Sequence, residues 1–347
     1  MFKVLRDPKF DLSKIGVAVQ PQRVLVTGSS GFIGTHLVRR LQSQGYSVLG
    51  IDIKPPSPEF QAIHHGCDIL DSNALAGLLQ ILVPDSVIHL AARTDLGGKT
   101  ADDYLANSLG VSNLLKAVEK TPSVRRCLFA SSQLVCRVGY IPRHDKDYCP
   151  TNLYGKSKVN TENEVRNSDG GGTTWCLLRP TTIWGSGMNT HYASFFNHLR
   201  HGRYFHAGKR ELFKSYGYVG NTVYQIEKFL LAPENLIHRK VFYLADYEPL
   251  SLQKWVNAIA NGLGKKSPPS IPLGVCHALA IIGDSFQKIH LEKYFPFNSF
   301  RLSNILTEYT YNMSSTKSIC GDLPYDFEGG VFNLVNWIKN QDSAPVI

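Results

Sequence analysis

The chain has 347 residues, 43% of them hydrophobic and 19% charged, a composition that excludes a disordered, collagen-like or coiled-coil protein and supplies a large core. Lys and Arg outnumber Asp and Glu by 37 to 28, for a formal charge of +9. The excess is spread over both halves with no basic run longer than two residues, so no nucleic-acid footprint is expected.

Seven cysteines without a C-x-x-C pair argue against a disulfide framework or a zinc site, and for a reducing, cytoplasmic setting with no bound metal. Residues 1–22 alternate charged and apolar positions and read as an N-terminal extension, not a signal peptide. Arg23–Thr27 reads as a strand, Gly28–Gly34 as a glycine-rich turn, Thr35–Gln44 as a helix and Ser47–Ile51 as a second strand. The alternation continues with a helix at Ala74–Leu82, a strand at Ser86–Leu90, one long helix at Ala101–Glu119 and a strand at Arg126–Ala130. A helix at Asn152–Val165 and a strand at Thr174–Leu178 close the series. This rhythm predicts an α/β fold with a doubly wound parallel sheet over 23–184.

From 185 to 347 the pattern loosens into a smaller α/β substrate lobe, with some segments expected to return to the first domain. Helices are predicted at Tyr192–His201, Thr222–Leu231 and Leu252–Gly262, and a strand at Val241–Leu244. The apolar stretch Ile271–Ile282 is interrupted by Pro272, Gly274 and His277 and is too short to span a bilayer. The segment 271–289 is therefore read as a buried helix, and no stable membrane insertion is expected. The pair His64-His65 reads as loop.

Gly28, Gly31 and Gly34 stand at a strand-to-helix turn, where they permit a tight bend, the approach of a pyrophosphate to backbone N–H groups, and close helix–strand packing. Asp52 ends the second strand, 18 residues after Gly34. A carboxylate there accepts both adenosine ribose hydroxyls and repels a 2′-phosphate, which favours NAD over NADP. Asp68 and Ile69 follow the third strand and are placed to meet the adenine.

Tyr154 and Lys158 lie at i and i+4, on one face of a helix. An ammonium beside a phenol stabilises the phenolate, producing a tyrosine able to move a proton to or from an alcohol oxygen. Ser132, at the end of a neighbouring strand, is placed to hydrogen-bond the same oxygen. His191 and Cys136 are further proton-transfer candidates, with a structural role preferred for both.

Together these residues resemble the extended short-chain dehydrogenase/reductases of the NAD-dependent nucleotide-sugar epimerase/dehydratase type. The matching positions are Thr27–Gly34, Asp52, Asp68, His89-Leu-Ala-Ala92, Asn107 in Asn-x-x-Gly-x-x-Asn-Leu-Leu, Ser131-Ser132, Tyr154/Lys158 and Arg179-Pro180. The resemblance implies a Rossmann domain holding NAD through Gly28, Ser30, Gly31, Phe32, Ile33, Gly34, Asp52, Asp68, Ile69, Leu90, Ala91, Ala92, Asn107, Tyr154, Lys158 and Pro180. It implies catalysis by Ser132, Tyr154 and Lys158 on a nucleotide-sugar substrate. It also implies a homodimer formed through the two long helices. Arg93, Thr94, Gln133, Thr182, Arg203, Lys209 and Arg301 are the candidate substrate contacts.

Departures from the family pattern narrow the chemistry. Dehydratases and decarboxylases of this type carry acidic residues directly after the position of Ser132, whereas this chain has Gln133 and Leu134, which argues against dehydration. The reading is a C4 epimerase working through a transient 4-keto intermediate. The alternatives are a keto-sugar reductase or an alcohol dehydrogenase. Arg301, Leu306-Thr307, the Gly321–Tyr325 segment and Trp337 also resemble the 3β-hydroxysteroid dehydrogenase branch, whose members oxidise an apolar alcohol and often touch membranes; the 271–289 segment fits that reading too, with the buried helix preferred. A non-catalytic dinucleotide-binding protein is disfavoured, because Tyr154 and Lys158 are both present. Thr182 stands where 4-epimerases commonly have Asn, and Glu308 near the place of an Arg that grips the substrate diphosphate. Tyr216–Asn221 resembles the family's Tyr/Phe-x-x-Val-Asp-Asp segment, with Gly220-Asn221 replacing the acids.

Overall fold

A computed structural model of the chain describes residues 22–188, 190–288 and 297–342, so the extension before residue 22 lies outside the described residues. The first half runs β1 (Arg23–Thr27), α1 (Phe32–Ser43), β2 (Ser47–Asp52), β3 (His64–Gly66), α2 (Ser72–Leu82), β4 (Ser86–His89), α3 (Leu109–Glu119), β5 (Arg126–Ala130), α4 (Leu153–Asn167), the short α5 (Asp169–Gly172) and β6 (Thr174–Pro180). The second half runs β7 (Thr182–Trp184), α6 (Thr190–Arg200), β8 (His206–Ala207), β9 (Phe213–Lys214), β10 (Tyr216–Tyr218), α7 (Val219–Leu231), α8 (Glu234–Ile237), β11 (Lys240–Leu244), β12 (Leu250–Ser251), α9 (Leu252–Gly262), β13 (Ser270–Ile271), α10 (Leu273–Lys288), α11 (Ser299–Leu306), α12 (Ser314–Cys320) and α13 (Phe327–Asp342).

Seven strands form one sheet in the order β11-β6-β5-β4-β1-β2-β3, and every pairing is parallel. Side chains alternate across it. Val24 and Val26 join the cluster under α1 and α7, whereas Leu25 joins the cluster under α2 and α3. Both faces are covered, which is why the strands read as nearly continuous apolar runs. After β3 the chain crosses over β1 to lay down β4, creating a crevice at the carboxyl ends of β1 and β4 where a dinucleotide fits. The expected return of C-terminal segments takes the form of β11, the seventh strand, and α7, which packs on α1.

A second core joins α6, α9 and α13 around Trp184, Trp255 and Leu334. A smaller one joins α10 and α11 around Cys276, Ala280 and Leu302.

Three local expectations are corrected. His64 and His65 are not loop but belong to β3, paired in parallel with Gly50 and Ile51. The helix expected over 101–119 is interrupted: Ala101–Asn107 is 3-10 helix, with Tyr104 at φ −116°, and regular helix begins only at Leu109. Asn107 explains the break, because its amide is pulled sideways onto the Arg93 backbone, accepting from its N–H at 2.8 Å and donating to its carbonyl at 2.9 Å. Finally, α10 is not a buried helix. It buries Cys276, Ala280 and Gly283 but exposes Leu273, Val275, Ile281 and Ile282.

Candidate active site

The β1–α1 turn is shaped by two close approaches. Gly28 sits at φ +73°, and a Cβ there would lie 2.6 Å from the Ala91 backbone nitrogen. A Cβ on Gly34 would lie 2.0 Å from the Gly28 carbonyl oxygen, so the helix can seat against the strand only without one. Gly31 is the N-cap of α1, and no side chain caps the helix. Its first-turn N–H groups are thus free of side-chain acceptors, which suits a pyrophosphate. Asp52 accepts from the Ser30 N–H at 3.0 Å and the Lys54 N–H at 2.9 Å, fixing its carboxylate beside the turn. Phe32 and Ile33 open α1 and are half-buried.

On the far side of the crevice, Thr27 ties β1 to β4. Its hydroxyl lies 2.7 Å from His89 Nδ1 and accepts from the Ala91 N–H at 3.3 Å, while the Leu90 N–H reaches the Thr27 carbonyl at 3.0 Å. Leu90, Ala91 and Ala92 are thereby held against the glycine turn. His89 is fully buried next to Lys158, and the two effects push its imidazole down to about 3, so it stays neutral. Its Nε2 has no hydrogen-bond partner. Asp68 is exposed and accepts from the Leu70 N–H at 2.9 Å, whereas Ile69 is buried in the core against Gly110. Asn107 is completely buried, and its amide nitrogen also donates to Ser157 Oγ at 2.8 Å. Its role here is to position the 90–94 loop and α4.

Asn152 begins α4 by accepting from the Gly155 N–H at 2.7 Å, which sets the rotation that brings Tyr154 and Lys158 inward. Tyr154 is buried, and Lys158 Nζ donates to the Ala130 carbonyl at 2.9 Å, at the end of β5. Ser132 follows two residues later, within hydrogen-bonding reach of the Tyr154 phenol, and its hydroxyl accepts from the Leu134 N–H at 3.1 Å. The three residues expected to act together are therefore brought together.

Their electrostatics differ from the expectation of a readily ionised phenol. Burial pushes Tyr154 up to about 12, outweighing the Ser132 hydrogen bond, and Tyr104 adds to the rise. The same burial pushes Lys158 down to about 8, against the support of Glu162. In the protein alone, desolvation is the larger influence on both groups.

Two features of the site have no local sequence signature. Tyr104, itself buried, packs its ring 6.3 Å from that of Tyr154, and its hydroxyl donates to the Asp95 carbonyl at 2.8 Å. Behind Lys158, Glu162 accepts from Arg179 Nε and Nη2, each at 2.8 Å, from Ser131 at 2.6 Å and from Tyr148 at 2.8 Å. Pro180 follows Arg179 on β6 and ends that strand.

The candidate substrate contacts fare unevenly. Gln133 is buried, and its side-chain oxygen has no hydrogen-bond partner. Thr182 Oγ1 lies 2.8 Å from the Tyr309 hydroxyl, so the C-terminal lobe reaches the site here. Arg93 is engaged by Asp95 at 2.7 Å and Asp103 at 3.3 Å. Thr94, Arg203, Lys209 and Arg301 are exposed. Glu308 is ion-paired with Arg210 and accepts the Phe213 N–H at 3.0 Å. Asn221, in place of an acid, donates to Asp246 at 2.8 Å, so a carboxylate still stands at this corner, supplied from elsewhere in the chain. Cys136 is buried and donates to the Asp147 carbonyl at 3.3 Å, with its thiol pushed up by burial, which fits a structural role. The His191 side chain lies outside the described residues. Among the described residues no group of His, Cys, Asp or Glu could hold a metal ion.

The sequence profile of the NAD dependent epimerase/dehydratase family matches residues 24–244. The chain belongs to that family. It is an NAD-dependent enzyme of the extended short-chain dehydrogenase/reductase type, and its cofactor is NAD. Among curated relatives, the N-acetyl-α-D-glucosaminyl-diphospho-ditrans,octacis-undecaprenol 4-epimerase of Escherichia coli O157:H7 is 27% identical, over 89% of this chain and 92% of its own. The 3β-hydroxysteroid dehydrogenase/Δ5→4-isomerase of Mycobacterium tuberculosis is also 27% identical, over 79% of this chain and 78% of its own. The Thermus thermophilus UDP-glucose 4-epimerase structure in complex with NAD has the same fold. It superposes with a TM-score of 0.68 at 21% identity, covering 92% of this chain and 99% of that one. The uncapped α1 N-terminus, the glycine turn and Asp52 are the family member's own residues that would hold the cofactor.

Proposed function

We propose that the protein is a nucleotide-sugar epimerase acting at C4 through a transient 4-keto intermediate. The observation that carries this reading is the composition of the reacting corner. One phenol, one ammonium and one hydroxyl converge there, while Gln133 and Leu134 occupy the places where dehydration needs carboxylates. Ser132 would hold the C4 hydroxyl, and Tyr154 would take its proton and later return it to the same oxygen. Lys158 would favour the phenolate while it is protonated. Bound NAD supplies a reversible hydride acceptor at that carbon. A homodimer through the α3–α4 face belongs to the same reading.

A second reading is favoured by one observation. Glu308, paired with Arg210, stands near the place where an arginine would grip a substrate diphosphate, and this suits an uncharged secondary alcohol of the steroid-dehydrogenase kind.

The deciding experiment denatures the purified protein and quantifies released nicotinamide, then follows UDP-sugars by NMR for interconversion of C4 epimers. The epimerase reading expects near-stoichiometric NAD(H) and interconversion that Tyr154→Phe lowers by at least about 10²-fold. An empty site with no interconversion, or turnover untouched in Tyr154→Phe, overturns it. Oxidation of a steroid-like alcohol would then select the second reading.

A further inference from the structure

Between the end of β5 and the start of α4 the chain leaves the reacting corner and comes back to it. Residues 137–148 form a loop whose two ends are Cys136, shortly after Ser132, and Cys149, shortly before Asn152. The ends are paired as a parallel β-bridge. The Cys149 N–H donates to the Val135 carbonyl at 3.0 Å, and the Arg137 N–H donates to the Cys149 carbonyl at 2.7 Å, so Cys136 stands directly opposite Cys149. Residues paired in this way put their side chains on one face, with Cα atoms about 4.8 Å apart, inside the roughly 4.4–6.8 Å over which a disulfide closes.

Six of the seven cysteines are buried, and Cys149 alone is half-buried. It is therefore the member of the pair that solvent reaches. Cys136 donates to the Asp147 carbonyl at 3.3 Å and packs, in the reduced protein, as a structural thiol. Burial pushes this thiol up, and the Cys149 N–H, within hydrogen-bonding reach of the sulfur, opposes the rise. Cys176 and Cys320 also share a cluster, but both are buried in the sheet core, away from solvent.

The loop is already folded back on itself. Asp147 accepts from the Tyr140 hydroxyl at 2.8 Å and from the Arg143 N–H at 2.9 Å, so closing the neck orders little more of the chain. The loop also reaches the residues behind Lys158. Tyr148 donates to Glu162 at 2.8 Å, and the Asp145 carbonyl accepts from Arg179 at 2.6 Å.

We propose that Cys136 and Cys149 are a reversible redox pair, oxidised by hydroperoxides to a disulfide that closes the neck of the 137–148 loop between Ser132 and Tyr154. In the first step the Cys149 thiolate attacks a peroxide oxygen. The O–O bond breaks, the sulfur becomes a sulfenic acid, and the other oxygen leaves as water or an alcohol. In the second step the Cys136 thiolate attacks that sulfur, the S–S bond forms, and the sulfenic oxygen leaves as water. Two thiols give up two electrons and two protons, and one peroxide is consumed. A dithiol reverses the bond by exchange. The inference does not depend on the substrate assigned to Tyr154.

The test treats native full-length protein with a small excess of hydrogen peroxide, blocks the remaining thiols under denaturing conditions and counts them by mass. The wild type is expected to lose two of its seven thiols, to yield one cross-linked peptide joining Cys136 to Cys149, and to recover both thiols with dithiothreitol. Cys149→Ser should lose none, with melting temperature and NAD content near wild type, which separates a missing partner from a failure to fold. Cys136→Ser should stop at a Cys149 sulfenic acid that dimedone traps. Wild type that keeps all its thiols, or that stops at an oxidised Cys149 without a cross-link, overturns the proposal. So does a disulfide between other cysteines or between two chains.

Discussion

Lys158 carries its ammonium into a fully buried position, and the opposing influences there make its titration measurable. Burial lowers it from 10.5 to about 8, and Glu162, one turn along α4, opposes the fall. The unfolded chain therefore binds this proton more tightly than the folded one between about pH 8 and 10.5. The burial penalty is full below that window, and stability from this group rises with pH across it. Activity follows the same proton, because with Tyr154 pushed up to about 12 the reacting form, phenolate beside ammonium, carries as many protons as the neutral pair. In the free enzyme kcat/KM should rise with pH and level off at about 8. Glu162→Gln removes the supporting anion and should move that limb to lower pH. It also leaves the Arg179 guanidinium buried with a neutral partner, at a cost approaching the roughly 3–5 kcal/mol of a broken buried ion pair. A pH–rate profile with parallel thermal melts checks both effects. An unmoved limb in Glu162→Gln would show that Lys158 is supported from elsewhere.

At the scale of elements, the glycine turn makes a sharper prediction than any single polar contact. Gly34 has no space for a Cβ, whereas one on Gly31 would come no nearer than 3.2 Å to the Gly28 carbonyl. Gly31→Ala should therefore fold, with a melting temperature near wild type, yet lose retained NAD by placing a methyl beside the pyrophosphate. Chromatography of the denatured protein measures the loss, and full NAD content would remove Gly31 from the cradle. Elements of this kind were legible because their signals are local. The β1 turn, the helix carrying Tyr154 and Lys158, and the strand ending before Ser132 each follow from spacing within some ten residues. What escaped was non-local. The pull of Asn107 on Arg93 breaks a pattern that reads as one continuous helix from Ala101 to Glu119. Burial raises Tyr154 although its motif predicts the reverse. The Glu162–Arg179 pair joins residues on α4 and β6 that no periodicity connects. Likewise α10, apolar on most sides, reads as buried, and only the small residues Cys276 and Ala280 settle which side faces the core.

At the scale of the whole molecule, the chain wraps two lobes around one crevice and then returns to finish the first sheet with β11. That return buries the seventh strand and α7 in the core begun by β1 and α1, with Phe242 and Phe229 in one cluster with Val24 and Leu37. The 101–108 segment and α4 leave a groove between them, lined by Leu105, Ser108, Pro150, Leu153, Lys156 and Asn160. Leu105 is 38% exposed in it, and Leu109, which follows the lining residue Ser108 and opens α3, is 45% exposed. Pairing two copies here would bury those side chains and brace α4, the helix that carries Tyr154 and Lys158. Light scattering should accordingly return twice the 38.6 kDa chain mass. Leu109→Glu, at an exposed first turn of α3, should return a single chain, with turnover falling because α4 loses its brace. A wild type that is monomeric at the same concentration removes the dimer. A dimeric Leu109→Glu would instead move the contact to another face.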